Sequence, residues 1–337
     1  MDLDREEVGT QLDEIDAALT SAERADDDRE VARLLAAGAH AALRRGDVPR
    51  ARGFADRAAR GSFRHRTAQL DAMRAQTFAA TATGDLEAAL HQTIKARAMA
   101  RDLGRTGELA EQSCALAAIQ LALGAPAEAR SCADAALAAI TAAGDRVDAT
   151  AALATLCRAG ADAELGDLDG AVTRLDAVEL APLPVATRVD VACALAFWLL
   201  ERGAAGDSRR AEALAADALA AADRVGDHHR RTALHACLGR AAARRGDDDL
   251  ARTHLERARR SADRAEAAAV LLLALATAEV LPADDGNRHV VLASARTRIL
   301  RTAARREDPR AFCAGVRLHR RLLELTGGVP ADLPGAS

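Results

Sequence analysis

A short turn signal recurs along the chain at a nearly constant interval, and this periodicity restricts the fold more than any other feature. Its marker glycines, most of them followed by aspartate as in "GDLEAAL" (84–90), lie 38, 40, 42, 40 and 40 residues apart; they are Gly46, Gly84, Gly124, Gly166, Gly206 and Gly246. A further step of 40 residues reaches Gly286, which indicates a seventh, degenerate copy. Such a period is typical of an array of stacked units.

A second break falls about half a period from these markers, so each repeat contains two segments. This second series comprises Gly61, Gly104, Gly144 and Gly226, with Pro182 and Pro184 in one gap. Half of the chain is apolar but only 2% is aromatic, and alanine supplies most of the apolar side chains. Alanine is the best helix former, whereas strands prefer the aromatic and β-branched residues that are sparse here. The sequence therefore predicts an all-α chain with two helices per repeat.

Small residues keep fixed positions around the marker glycines. Alanine follows each of the first six markers by five residues; these are Ala51, Ala89, Ala129, Ala171, Ala211 and Ala251. A second small residue comes seven positions later, on the same helix face, and another precedes each marker by seven. We predict that this stripe packs closely against the first helix. The glycine would end one helix in a left-handed conformation and the aspartate would cap the next.

With a small residue, a turn glycine and two alanines spaced by seven, five and seven positions, the chain resembles the tetratricopeptide repeat family. The resemblance covers most of residues 30–300. It implies a right-handed α-solenoid of six to seven helical hairpins, whose first helices line the concave surface. The period near 40 residues exceeds the family period of about 34, and the family's aromatic and proline positions are mostly empty. The array is therefore similar to the extended arrays of large bacterial regulators.

The chain divides into four parts by pattern. Residues 1–27 carry apolar side chains at helical spacing and predict an N-terminal capping helix, and residues 28–306 form the solenoid. Residues 307–326 predict a C-terminal capping helix, since Pro309 suits a first helical position. The remaining residues, 327–337, are predicted to be a disordered tail.

Charge and targeting signals favour a cytoplasmic protein. The net charge of −4 provides no overall field that would attract nucleic acid or an anionic membrane. The acidic N-terminus lacks the pattern of a signal peptide, and the longest apolar run, residues 267–281, is too short to span a bilayer and contains Glu279. We predict that this run is a buried helix and that the six cysteines are thiols.

The motifs of common enzyme classes are missing, so we predict no catalytic activity, no cofactor and no metal. Lys95 is the sole lysine and belongs to no P-loop, and H-E-x-x-H, G-x-S-x-G and EF-hand patterns do not occur. No C-x-x-C occurs, and Cys157 and Cys237 fit small core positions nine residues before their markers. His228, His229 and His235 leave a metal site open as an alternative, although the acidic stretches 26–30 and 247–249 are better explained as helix N-termini.

If first helices line the concave surface, residues at 13, 10, 6, 3 and 2 positions before each marker face a partner. These predicted partner-binding residues are Arg33, His40, Arg44, Asp71, Arg74, Phe78, Leu153, Leu156, Leu200, Arg240 and Arg244. The groove would be basic at both ends and apolar in the middle. It would suit a peptide or protein segment with acidic residues around a hydrophobic centre, because arginine holds carboxylates by two hydrogen bonds.

Three functions follow from these observations. The first is a non-catalytic protein- or peptide-binding scaffold or adaptor. The alternative is a ligand- or peptide-sensing regulatory subunit similar to the repeat arrays of bacterial transcription activators. The third is nucleic-acid binding through arginines of the C-terminal third, which include Arg288, Arg296, Arg298, Arg301, Arg305, Arg306, Arg310, Arg317, Arg320 and Arg321. Few aromatic residues are available to stack on bases, which disfavours this third function.

Overall fold

The chain folds into an array of helices. The computed structural model describes residues 3–61, 65–143, 149–225, 230–262, 265, 267–331 and 333, and these contain no strand. Seventeen helices occur in these ranges: α1 (Leu3–Arg24), α2 (Asp28–Arg44), α3 (Val48–Arg60), α4 (Arg66–Thr83), α5 (Leu86–Asp102), α6 (Thr106–Ala122), α7 (Pro126–Ala143), α8 (Ala149–Glu164), α9 (Leu168–Asp176), α10 (Val185–Arg202), α11 (Asp207–Arg224), α12 (Arg231–Ala243), α13 (Asp248–Ser261), α14 (Ala267–Val280), α15 (Gly286–Ala303), α16 (Pro309–Gly315) and α17 (Arg317–Glu324). The predicted all-α class is confirmed.

The helices from α2 to α15 form seven successive hairpins, each made of a first helix and a second helix. The first helices are α2, α4, α6, α8, α10, α12 and α14, and each packs against the second helix that follows it. First helices also pack on one another, as α2 does on α4 and α12 on α14. No described helix has both the length and the apolar character needed to cross a membrane.

The marker glycines form the elbows of the hairpins. All six adopt positive φ angles, from 74° at Gly46 to 106° at Gly166, a region that residues with a side chain rarely occupy. After four of them the aspartate caps the next helix: Asp47, Asp85, Asp167 and Asp247 each accept a hydrogen bond from the backbone N–H three residues later, at 2.8–3.1 Å. The predicted elbow is confirmed at these four positions.

Two elbows depart from the prediction. Helix α10 ends at Arg202 and is capped by Gly203, which has a φ of 69° and lies three residues before the marker Gly206. Asp207 therefore does not cap α11; it accepts from the Ala204 N–H at 2.8 Å and pairs with Arg202 at 2.7 Å. In the seventh copy Gly286 is the first residue of α15 rather than the end of α14. The prediction of one common elbow was wrong in these two repeats.

The alanine stripe is buried between the two helices of each hairpin. The six alanines that follow the markers by five residues are each 0% or 1% exposed. A Cβ atom placed on Gly239 of α12 would lie 3.3 Å from the carbonyl oxygen of Ala251 on α13, which shows how closely the two backbones approach. Side chains larger than alanine would force the helices apart, so the predicted close crossing is confirmed.

The C-terminal helices α16 and α17 pack across the ends of several first helices. The backbone N–H of Arg317 donates to Glu164 at the end of α8 (2.7 Å), and Gly315 lies so close to Gly124 that a Cβ atom on Gly315 would clash with the Gly124 carbonyl oxygen. Arg310 donates to the carbonyl oxygens of Ala331 and Leu333 in the tail. This contact network ties the end of the chain to the middle of the array.

A buried ion-pair network lies beneath α17. The guanidinium of Arg240 is fully buried and contacts Glu201 (2.7 Å) and Glu279 (2.8 Å). Arg321 of α17 contacts the same two carboxylates, at 2.7 and 2.8 Å. Because a buried charge without a partner is very unfavourable, each of these groups depends on the others.

We expect Arg240→Met to lower the free energy of unfolding by about 3–5 kcal/mol, because it leaves Glu201 and Glu279 with fewer cationic partners in a buried setting. Arg57→Met is the matched control, since its pair with Glu23 is 40% and 51% exposed and should contribute at most about 1 kcal/mol. Urea unfolding followed by circular dichroism measures both. Equal losses in the two variants would contradict the assignment of Arg240 as a buried structural charge.

A second prediction concerns pH. His319 on α17 is 7% exposed, and burial lowers its pKa to about 4 from its ordinary value near 6.5, aided by the neighbouring Arg320. Below pH 6.5 the unfolded chain takes up a proton that the folded chain refuses. The free energy of unfolding should therefore fall between pH 6.5 and 4, by as much as about 3 kcal/mol from this group.

Urea midpoints measured at intervals across that window test this prediction. His319→Gln removes the titrating group, so its midpoint should change less with pH than that of the wild type. His235, whose pKa burial also lowers to about 4, is present in both proteins and contributes equally to both curves. Parallel curves for the variant and the wild type would refute the role of His319.

Candidate functional site

A cavity of about 830 Å³ opens on the face formed by the first helices. Its walls come from α2, α4, α6, α8 and α10, and from Arg230 just before α12. Six of the predicted partner-binding residues line this first-helix cavity: Arg33, His40, Arg74, Phe78, Leu153 and Leu156. The structure thus brings together residues from the first, second and fourth repeats.

The cavity lies where the stacking of first helices is interrupted. Close packing joins α2 to α4 and α6 to α8, but within the described residues α4 and α6 share no comparable interface. A small apolar cluster around Leu70, Ala96 and Ala100 joins the α4–α5 hairpin to Leu109 of α6. The space between α4 and α6 is therefore open to a ligand instead of being filled by core side chains.

One part of the cavity wall is apolar and aromatic. The rings of His40 and Phe78 meet edge to face, with centroids 5.1 Å apart. Leu153 and Leu156 of α8 are half-buried on the opposite side. The Cys157 thiol donates to the Cys114 carbonyl oxygen (3.8 Å), and its interaction with Cys114 together with burial raises the pKa of Cys157. The thiol is therefore uncharged, and this wall would hold apolar groups.

The arginines of the cavity wall already have carboxylate partners. Arg33 binds Glu30 through two nitrogens, at 2.5 and 2.7 Å, and this contact lowers the pKa of the Glu30 carboxyl group. Arg74 contacts Asp71 at 3.1 Å and Glu111 of α6 at 2.7 Å. A partner carboxylate would have to compete with these contacts.

Arg230 also has a carboxylate partner, since its Nε atom lies 2.7 Å from the Asp190 carboxylate of α10. With three arginines each matched by acidic groups, the wall of the first-helix cavity is close to neutral. The basic groove end expected from the sequence is therefore not observed in the first two repeats. The sequence pattern counted the arginines of this face but did not show which carboxylates lie beside them.

The other predicted residues lie away from the first-helix cavity. Asp71 contacts Arg74 but does not itself line the cavity. The side chain of Arg44 lies outside the described residues. Leu200 and Arg240 are 0% exposed. Arg244 donates to the Leu200 carbonyl oxygen and approaches Glu279 at 3.7 Å. Arg321 of helix α17 contacts Glu201 and Glu279 on this part of the first-helix face. Leu200 and Arg240 belong to the interior of the protein, whereas Arg244 is exposed.

The position of the elbow after α10 changes the count of facing residues in that helix. Positions in α10 were counted from Gly206, but Gly203 is the residue that caps the end of α10, which moves the register by three residues. Counted from Gly203, position −13 is Asp190, a residue that does line the first-helix cavity. The same count in the third repeat gives Glu111, also a lining residue. The count from Gly203 still selects Leu200, at position −3, so Leu200 is buried because it packs in the core and not because of the marker used.

Gln112 is a lining residue that the sequence pattern missed. It lies on α6, is 4% exposed, and its Oε1 atom has no hydrogen-bond partner among the described residues. Gln112 comes twelve residues before Gly124, one position beside the face that the repeat pattern selects. No signal in the sequence distinguishes it from other polar residues of first helices.

The alternative sites find less support in the geometry. His235 lies against His254, with Nδ1 atoms 3.2 Å apart, whereas His228 and His229 lie outside the described residues, as do Gly144 and Gly226. The described ranges hold no group of three or more histidine, cysteine or acidic side chains placed to bind a metal. Many C-terminal arginines contact carboxylates or backbone carbonyls within the chain; these are Arg288, Arg296, Arg306, Arg310, Arg317, Arg320 and Arg321.

Similarity to known proteins is confined to the fold. No protein-family model and no curated protein matches the chain. Among solved structures, a Rap protein complexed with competence and sporulation factor superposes with a TM-score of 0.56 at 16% identity, over 96% of this chain and 98% of the other. The apo quorum sensor NprR from B. thuringiensis gives 0.52 at 14% identity, over 96% and 99% of the two chains.

NprR in complex with its cognate peptide NprX gives a TM-score of 0.55 at 13% identity, over 95% of this chain and 99% of the other. At these identities the similarity establishes the architecture. The helical-repeat fold implied by the tetratricopeptide resemblance is confirmed along nearly the whole chain.

Proposed function

We propose that this chain is a non-catalytic, peptide-sensing regulator that binds a short peptide in the first-helix cavity. The observation that carries the proposal is the cavity itself, which collects apolar and polar side chains from five first helices at a break in their stacking. Its volume of about 830 Å³ falls within the range of about 300–1,000 Å³ common for small-ligand sites. A folded protein would not fit such a space, whereas a peptide segment would.

Two of the similar structures support a peptide as the ligand. One is a Rap protein complexed with competence and sporulation factor, and the other is NprR with its cognate peptide NprX. Both have the fold of this chain over almost their full length. The peptide-sensing function is therefore favoured over that of a scaffold for folded partners.

In this proposal each part of the chain has a role. Residues 28–306 form the binding array, residues 1–27 and 307–326 cap its two ends, and residues 327–337 are a tail. The protein acts in the cytoplasm without a cofactor. A signalling peptide bound in the cavity would change how the array presents its outer surface to a second protein.

The test begins with a positional-scanning pool of acetylated and amidated hexapeptides. We expect at least one sub-pool to raise the melting temperature of the wild-type protein, because a ligand that binds only the folded state stabilises it. Leu153→Ala should weaken the binding of the best peptide about tenfold or more, since it removes apolar contact area from the cavity wall. Calorimetric titration measures the affinity.

The matched control is Leu165→Ala. Leu165 follows α8, is 48% exposed and does not line the first-helix cavity, so this variant should bind the peptide as the wild type does. Circular dichroism checks that both variants remain folded. If no sub-pool stabilises the wild type, or if the two leucine variants lose affinity equally, the cavity is not the peptide site.

A further inference from the structure

The first-helix cavity contains one buried polar group whose hydrogen bonding is incomplete. Six buried side-chain polar atoms in the described residues lack a partner, and five of them are arginine nitrogens outside the cavity. The sixth is Oε1 of Gln112, the only oxygen among them, on a side chain that lines the cavity and is 4% exposed. An unsatisfied buried acceptor is unfavourable, and folded proteins contain few of them.

Several other polar groups around the cavity already have partners. Thr77 and Thr93 join their hydroxyl groups at 3.2 Å, and the Thr93 hydroxyl also donates to the Ala89 carbonyl oxygen at 2.7 Å. The arginines of the wall bind neighbouring carboxylates, as described above. A ligand would gain little binding free energy by replacing these existing pairs. It would gain more by supplying the hydrogen bond that Gln112 Oε1 lacks.

The missing partner must be a hydrogen-bond donor. Glutamine Oε1 accepts hydrogen bonds only, so a ligand can satisfy it only with an N–H or O–H group. The terminal amide of glutamine rotates through a broad range of angles, which allows Oε1 to turn towards a donor in the cavity. The apolar residues that line the same cavity, Phe78 and Leu153 among them, favour an uncharged donor between apolar groups.

From this placement we infer that Gln112 is the specificity-determining residue of the first-helix cavity, where its Oε1 accepts a hydrogen bond from a backbone N–H of a neutral, apolar peptide segment. The inference rests on the proposed function and adds the chemistry of the ligand to it. It also replaces the acidic segment expected from the sequence, because the matched arginines of the wall leave no cation that requires a ligand carboxylate.

The experiment compares two probes on the full-length protein. One is a pool of acetylated and amidated hexapeptides built from apolar residues, and the other is the same pool with glutamate at alternate positions. The wild type should bind the apolar pool more tightly. Tighter binding of the glutamate pool would overturn the inference, because it would show that the wall selects negative charge.

Gln112→Met tests the residue itself. It keeps the length of the side chain and removes the orphan acceptor, so we expect the ligand-free protein to melt roughly 1–3 °C higher. The same variant should bind the best apolar peptide about tenfold more weakly. This opposition between stability and affinity is not expected of a residue with a purely structural role.

Gln120→Met is the matched control. Gln120 lies on the same helix, is half-buried and does not line the first-helix cavity, so the variant should retain the wild-type affinity. Replacing single peptide N–H groups by N–CH₃ in the best peptide provides a second measurement that needs no variant. One position should lose about tenfold in wild-type binding, and that loss should vanish in Gln112→Met.

The outcomes separate the two proposals. If neither pool binds the wild type, this inference fails, and the positional-scanning pool decides the proposed function separately. If the apolar pool binds the wild type and Gln112→Met equally well, the peptide site stands and the role of Gln112 is refuted. If Gln112→Met does not fold, an N-methyl scan without any sensitive position in the wild type refutes the inference.

Discussion

Close contact between the two helices of each hairpin is the constraint on which the rest of the structure depends. At the crossing of α12 and α13, the Gly239 position comes within van der Waals distance of the Ala251 carbonyl oxygen, and the alanine equivalent to Ala251 is buried in each of the first five hairpins. Helix axes can approach this closely only if the side chains between them are small. The left-handed elbow glycine then lets the chain reverse direction within a few residues. Each hairpin is therefore a thin layer of two helices, and the array is a stack of such layers.

Such thin hairpins bury little apolar surface per residue, so the array needs additional stabilisation. A buried alanine contributes less than a buried leucine because the hydrophobic effect scales with the area removed from water. In the second half of the chain the larger side chains, such as Trp198 and Leu199, join a continuous core with Phe312 and Leu322 of the C-terminal helices. In the first half the core is divided into smaller clusters, and the first-helix cavity opens at the boundary between them.

This division explains why the chain would bind a ligand near one end only. Over the later repeats, α17 covers the first-helix face and its arginines pair with Glu164, Glu201 and Glu279. The first-helix cavity is lined instead by half-buried groups such as Phe78 and Leu156. The same repeated surface is thus used internally at one end and left open at the other. A peptide in the open part would occupy a place like the one that the protein's own C-terminal helix fills.

The sequence by itself determined the fold class, the pairing of two helices in each repeat, most of the elbow positions and the buried stripe, because each of these depends on local rules of spacing, turn conformation and side-chain size. It also placed Arg33, Arg74, Phe78 and Leu153 on the correct face, since helical periodicity fixes which residues share a side. The tertiary structure alone decided that Arg240 is a buried charge, that Asp190 takes the position expected of another residue, and that Gln112 lacks a partner. These properties depend on which distant groups meet in space. The spacing of residues within one repeat does not show which carboxylate or helix of another repeat packs against it.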